Sequence, residues 1–318
     1  MPIDLDALRQ GNRRALAKAI TLVESTRDTH RQQAQEVLEH LLPYTGNSIR
    51  IGISGIPGVG KSTFIEAFGL HLLEQGKRVA VLAVDPSSPV HGGSILGDKT
   101  RMEMLSRAEN TFIRPSPSAG ALGGVAQKTR ETMLLCEAAG YDVILVETVG
   151  VGQSEYEVAA MVDFFLVLMI PNAGDELQGI KKGIMELADA LVINKADGES
   201  LNYAKQTQRH YQNALNLLQH TSFWTPQVMT CSALKNQNID AVWNMINTFQ
   251  IEARANNALV EKRARQNIDW MKTLLMEMLD MKLKQHPQVR RDLPVLQARV
   301  KRGEITPYLA AKQLIDLL

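Results

Sequence analysis

Ile49-Arg50-Ile51-Gly52-Ile53-Ser54 runs directly into Gly55-Ile56-Pro57-Gly58-Val59-Gly60-Lys61-Ser62-Thr63. The first six residues are an apolar run suited to a buried strand, and the next nine match the phosphate-binding pattern G-x-x-x-x-G-K-S/T. Lys61 to Gln75 then reads as a helix closed by Gly76. The pattern has a mechanism in this context of strand, glycine-rich turn and helix. Glycines let backbone amides around Gly58, Val59 and Gly60 wrap phosphate oxygens, and the helix N-terminus adds partial positive charge. Lys61 is expected to reach the β- and γ-phosphates and the Ser62 hydroxyl to hold Mg²⁺, with Thr63 in the same binding set.

Further along, Asn194-Lys195-Ala196-Asp197 follows the apolar run that starts at Ala190. An aspartate placed after a strand can accept two hydrogen bonds from the N1–H and exocyclic amine of guanine, which adenine does not offer. Leaving such a group unpaired against the wrong base costs on the order of 10⁴ in discrimination. Ser232-Ala233-Leu234 comes after the strand expected at Gln227–Thr230, where a backbone amide meets the guanine O6. Phosphate loop and base reader in this order predict a site for GTP and GDP.

The same strand–helix alternation extends over residues 49–250. Strands are expected at Ile49–Ser54, Arg78–Val84, Thr111–Arg114, Asp142–Thr148, Phe164–Ile170, Ala190–Asn194 and Gln227–Thr230. Several are continuous Val/Ile/Leu runs rather than alternating ones, as in parallel strands buried on both faces. The expected fold is therefore a doubly wound α/β sheet, mostly parallel. Residues 1–48 read as a helical extension. Asn12–Ser25 carries Ala15, Ala19 and Leu22 on one side, and Arg31–Leu42 repeats the pattern before Pro43. Residues 251–318 read as helical too. Ile251–Lys284 is expected as one long helix ended by Pro287, and a last helix starts at Thr306-Pro307 and runs to Leu318.

Composition limits the class of protein. The chain has 318 residues, 45% hydrophobic, with a net charge of +1. That charge is uneven: +1 over residues 1–50, −5 over 51–250 and +5 over 251–318. The basic residues of the tail alternate with acidic and apolar ones, which suits a solvated helix face better than a nucleic-acid surface. Cys136 and Cys231 lie far apart, signalling neither a disulfide framework nor a cysteine zinc site. The acidic N-terminus has no secretory h-region. The longest apolar stretch, Phe164–Ile170, falls short of the roughly 20 residues a membrane span needs. A cytoplasmic protein without membrane or nucleic-acid partners is expected.

The hydrolytic chemistry is expected where the strand C-termini meet the phosphate loop. Ile144-Leu145-Val146-Glu147-Thr148-Val149-Gly150 ends an apolar strand on an acid, placing a carboxylate near Mg²⁺ and a glycine where the γ-phosphate is sensed. Most GTPases have aspartate there; Glu147 is one methylene longer. Asp85 closes the strand Val79–Val84 before Pro86-Ser87-Ser88-Pro89, a position that faces the metal side. Asp98 lies in the glycine-rich segment from His91 to Thr100, whose composition suits a first switch. Three carboxylates overfill a Mg²⁺ shell that keeps several waters, so some are expected to act through water or in one nucleotide state. Gln153 is a candidate for orienting the attacking water. No arginine stands clearly as a finger; Arg101 is the nearest candidate. Slow turnover without a partner follows.

Several of these segments carry a resemblance. Arg13 to Ser25, the phosphate loop, Val84-Asp85-Pro86-Ser87-Ser88, Gly97-Asp98-Lys99-Thr100-Arg101-Met102 and Glu147 to Glu155 resemble the MeaB/ArgK-type GTPases over essentially the whole chain. The resemblance implies a metallochaperone-like GTPase with glutamate in its second switch, which fits Glu147. It maps the Mg²⁺-side acids onto Asp85, Asp98 and Glu147, and implies an extra switch within Pro171–Lys181. It implies a homodimer whose arm is the basic C-terminal helices. It also implies a partner, an adenosylcobalamin-dependent methylmalonyl-CoA mutase, with GTP hydrolysis timing cofactor loading and protection of the mutase.

Two other classes compete. A metal-insertion GTPase for nickel enzymes usually carries histidine tracts or paired cysteines; here the seven histidines are scattered. A kinase, a label some members of this family have carried in connection with amino-acid transport, needs an acceptor site with a base and usually ATP. Asp197 argues against it.

Overall fold

Phe164–Met169, with six buried residues in succession, shows why the apolar runs become strands: each face of such a run needs its own cover. The computed structural model describes residues 3–84, 102–115, 124–148, 154–171, 182–216 and 223–317. Its seven strands are β1 (Ile49–Gly55), β2 (Val79–Val84), β3 (Thr111–Arg114), β4 (Val143–Thr148), β5 (Phe164–Met169), β6 (Ala190–Ile193) and β7 (Gln227–Thr230). All seven expected strands are present, with ends shifted by at most one residue. They form one sheet in the order β3-β2-β4-β1-β5-β6-β7, every pair parallel. β1 lies at the centre, with Ile51 opposite Leu145 of β4 on one side and Phe164 of β5 on the other.

The helices are α1 (Leu5–Arg9), α2 (Arg13–Glu24), α3 (Asp28–Leu41), α4 (Lys61–Glu74), α5 (Glu103–Arg107), α6 (Gly124–Ala138) and α7 (Ser154–Ala159). They continue as α8 (Lys182–Leu187), α9 (Leu201–Asn216), α10 (Ile239–Ala255), α11 (Ala258–Gln285), α12 (Pro287–Lys301) and α13 (Pro307–Ile315). Strand alternation divides the core. Ile49, Ile51, Ile53, Val143, Leu145 and Phe164 pack with Phe64 and Phe68 of α4 and with Val242, Ile246 and Phe249 of α10. Ile144, Val146, Phe165 and Val167 pack with α6 and with Leu16, Ala19 and Ile20 of α2. The N-terminal helices thus share the second layer rather than standing apart. Asn12 caps α2 by accepting from Arg14 N and Ala15 N, both at 3.0 Å. Gly52 is required on this face: a Cβ there would lie 2.8 Å from Phe165 and 2.9 Å from Val158, so its absence lets α7 approach β1.

Two compact units result, residues 1–263 and 264–318. In the first, a buried ion network lies at the N-terminal edge of the sheet. The carboxylate of Asp163, fully buried, accepts from Arg50 N at 2.8 Å and from Arg263 Nε and Nη2 at 2.8 and 2.6 Å. Glu137 accepts from Arg50 Nε and Gly46 N, both at 2.8 Å. The second unit buries Val289, Leu296 and Ala310 and leaves Ile268, Met271, Leu275 and Met278 of α11 about half exposed along one stripe.

The expected helix from Ile251 to Lys284 is two helices. Asn257 takes a left-handed φ of +55°, and the amides of Asn256 and Asn257 bond back to Glu252 and Arg254, ending α10 before α11 starts. Pro287 is the first residue of α12, where its missing N–H costs nothing; His286 alone separates it from α11. Thr306 caps α13 as expected, accepting from Leu309 N, but the helix stops at Ile315. No helix among the described residues is long and apolar enough to cross a membrane.

Candidate guanine-nucleotide site

The central position of β1 delivers the phosphate loop to the C-terminal edge of the sheet, between β4 and β5. Gly55, Gly58 and Gly60 hold φ values of +152°, +78° and +94°. At Gly60 a Cβ would lie 2.8 Å from Asn194 Nδ2, and at Gly55 2.6 Å from the carbonyl of Leu168. At Gly58 a Cβ would meet nothing within 4 Å, so the loop opens there.

Lys61, Ser62 and Thr63 open α4 directly behind the loop. Lys61 Nζ donates to the carbonyls of Gly55 at 2.8 Å and Ile56 at 3.3 Å, folding back over the turn. Burial lowers its pKa, while the charges of Glu147 and Glu155 pull it back up. Glu147 lies in β4 beside Ala83 of β2 and Ile53 of β1, near the C-terminal end of both strands. The next residue, Thr148, donates its hydroxyl proton to Ser54 Oγ at 3.0 Å in the buried floor.

Asn194 knits the end of β6 to this loop. Its Nδ2 donates to the carbonyl of fully buried Val59 at 3.0 Å, and its Oδ1 accepts from Ala233 N at 3.1 Å. Lys195, at φ +59°, sends Nζ to the carbonyl of Gly58 at 2.7 Å. Asp197 accepts a hydrogen bond from the Ser232 hydroxyl, and Ser232 Oγ accepts from Lys235 N at 3.1 Å. Ala196 N donates to Cys231 O at 2.9 Å, which ties the Asp197 segment to the end of β7. Ala233 is buried and Leu234 exposed. The fold therefore gathers Gly58 to Thr63, Asn194, Lys195, Asp197 and Ser232 to Leu234 at one edge.

An open glycine turn with a folded-back lysine fits a polyphosphate, whose oxygens would replace the two carbonyls as partners of Lys61 Nζ. Among the described residues no three His, Cys, Asp or Glu side chains cluster as a ready ligand set. Of the expected metal-side groups, Ser62 and Glu147 are described. Asp85, Asp98 and Gln153, together with Arg101 and residues 172–181 of the expected extra switch, lie outside the described residues.

The structure adds residues that sequence reasoning left unassigned. Glu155, in the first turn of α7, is 3% exposed, and its Oε2 has no hydrogen-bond partner among the described residues. In the sequence it closes the Glu147–Glu155 segment that carries the family resemblance, but no role attaches to it there. The structural bonds of Asn194 were equally hidden, because its partners Val59 and Ala233 are remote in the chain.

Comparison with known proteins accords with this geometry. The family described as "Methylmalonyl Co-A mutase-associated GTPase MeaB" matches residues 16–288. The chain belongs to the MeaB family. It is a GTPase and binds guanine nucleotide. It is 49% identical to the GTPase ArgK of Escherichia coli, over 98% of this chain and 94% of that one. It is 48% identical to the mitochondrial methylmalonic aciduria type A homolog of Mus musculus, over 97% of this chain and 77% of the mouse protein. Among solved structures, one titled as an LAO/AO transport system kinase superposes with a TM-score of 0.79 at 42% identity, covering 98% of this chain and 95% of that one.

Proposed function

We propose that this MeaB-family GTPase is a chaperone of an adenosylcobalamin-dependent methylmalonyl-CoA mutase, gating cofactor loading and protecting the mutase as GTP is hydrolysed. The observation that carries the proposal is the family match over residues 16–288, supported by the likeness to the methylmalonic aciduria type A homolog across nearly the whole chain.

In this reading the amides of Gly58 to Thr63 cradle the phosphates, Lys61 neutralises them, and Asp197 reads the guanine with Ser232, Ala233 and Leu234 around O6. Asn194 and Lys195 hold the base end to the loop. Ser62, Asp85, Asp98 and Glu147 would hold Mg²⁺ directly or through water, and that ion would supply charge neutralisation at the β- and γ-phosphates. Gln153 would orient the attacking water. The proposal extends to a cytoplasmic homodimer whose arm is the helical segment from residue 251 to 318. The apolar stripe of Ile268, Met271, Leu275 and Met278 supports that assignment.

The test is GTP turnover by the purified protein with and without such a mutase, alongside size-exclusion of the mixture. Strong acceleration with co-elution is expected. No complex and no acceleration would leave a GTPase with another client. The transport-kinase reading is tested by the fate of labelled phosphate from GTP or ATP, because a switch releases it only as inorganic phosphate.

A further inference from the structure

Glu155 raises a question that the phosphate-loop reading does not answer. A carboxylate buried to 3% exposure is costly unless a donor or a cation meets it, yet its Oε2 has no hydrogen-bond partner among the described residues. Its place is set by packing. Val158, three residues on and on the same face of α7, is fully buried against β1 at Gly52. α7 runs from the C-terminal edge of the sheet, after β4, back toward the start of β5. Glu155 is thus one helical turn nearer that edge than Val158, on the side where β1 ends at Gly55 and the Lys61 ammonium rests. The charge of Glu155 raises the pKa of Lys61, which accords with that placement.

The chemistry of the neighbours narrows what Glu155 can hold. An ionised carboxylate only accepts hydrogen bonds, and so do phosphate oxygens, so the two cannot meet directly. With nucleotide bound, the Lys61 hydrogens that now go to Gly55 and Ile56 would turn to phosphate oxygens. A water donates to both kinds of acceptor at once. We propose that Glu155 holds the hydrolytic water, accepting one of its hydrogens so that the oxygen lone pair faces the γ-phosphorus. Attack forms the bond from water oxygen to γ-phosphorus. It breaks the bond from that phosphorus to the β–γ bridging oxygen, whose electron pair leaves with GDP. The water proton passes to the inorganic phosphate or to solvent. Glu155 would be a catalytic residue of the GTPase reaction, and the assignment rests on the phosphate-loop role of Lys61.

The experiment compares the full-length parent with Glu155→Gln, which keeps the shape and removes the charge. Binding of fluorescent GTP and GDP analogues is titrated over a range of Mg²⁺ concentrations, and hydrolysis is followed in single turnover. Expected are unchanged nucleotide affinity, unchanged Mg²⁺ dependence, and a hydrolysis rate reduced roughly 100-fold, the scale of a positioned acid–base group. The melting temperature should hold or rise, because a buried charge is gone. Hydrolysis at the parent rate would overturn the proposal. Loss of affinity that excess Mg²⁺ restores would also overturn it, making Glu155 a metal-shell residue instead. Should Glu155→Gln not fold, Glu155→Asp, which draws the charge back by one methylene, is read by the same criteria. A parent protein that fails to bind GTP would instead sink the phosphate-loop reading itself.

Discussion

The side-chain amide of Asn194 donates to the main-chain carbonyl of Val59 across 3.0 Å, joining the Asn194–Asp197 segment to the phosphate loop. The two residues lie 135 positions apart in the chain. The other end of the same side chain accepts from Ala233 N, so one buried carboxamide spans three loops from the ends of β1, β6 and β7. Asn194→Ala strands a buried carbonyl and a buried amide. Each costs about 1–3 kcal/mol. The expected outcome is a lower melting temperature and roughly tenfold or greater loss of GTP affinity, measured by differential scanning fluorimetry and nucleotide titration. Parent-like affinity would mean the loops are held by other contacts.

Lys61 makes a testable pH effect. Its folded-state pKa lies below the ordinary lysine value of 10.5 because burial disfavours the charged form. In the window from that lowered value up to 10.5 the unfolded chain holds more protons, so stability rises with pH through this group. Denaturant unfolding of the nucleotide-free protein along an alkaline series should show that increment in the parent and lose it in Lys61→Met. The difference between the two curves cancels other titrations. The same variant should bind GTP too weakly to detect, since the phosphates lose their main cation.

Asp197→Asn exchanges one acceptor oxygen for an amide donor while keeping the shape that meets Ser232. The fold should survive, with an unchanged circular dichroism spectrum. Preference for guanine over xanthine nucleotides should shrink or reverse, by roughly 10²-fold or more in relative affinity if the carboxylate reads both guanine donors. Unchanged discrimination would move base reading to another residue.

Arg263→Ala removes the cation that satisfies Asp163 and reaches the carbonyls of Gly46 and Ser48 at 3.0 and 2.6 Å. Asp163 is then buried without its charge partner, a loss of about 3–5 kcal/mol. A large drop in the denaturant midpoint is expected. Since the network lies at the sheet edge opposite the phosphate loop, GTP affinity of the remaining folded protein should stay near that of the parent.

Much of the fold is local in origin. The strands Val79–Val84 and Phe164–Met169 lie within one residue of their expected ends, because a continuous apolar run bounded by polar residues has few other places to go. The helix interruption at Asn256-Asn257 is not legible in the sequence, because Asn also occurs within helices; only the left-handed φ of Asn257 makes it a stop. α11 ends at Gln285, just ahead of Pro287 as expected, and the same proline also opens α12, a second role that the sequence pattern does not announce.

The glycine-rich turn between β1 and α4 and the parallel strands were determined by the sequence alone, since each is a short run whose composition and spacing carry their own geometry. Tertiary structure alone decided that Asn194 ties Val59 to Ala233, that Arg263 neutralises Asp163, and that the buried Glu155 carboxylate acts electrostatically on Lys61. Those relationships join residues far apart in the chain. Their strength comes from water excluded when the sheet and helices close, and exclusion of water is a property of the packed whole.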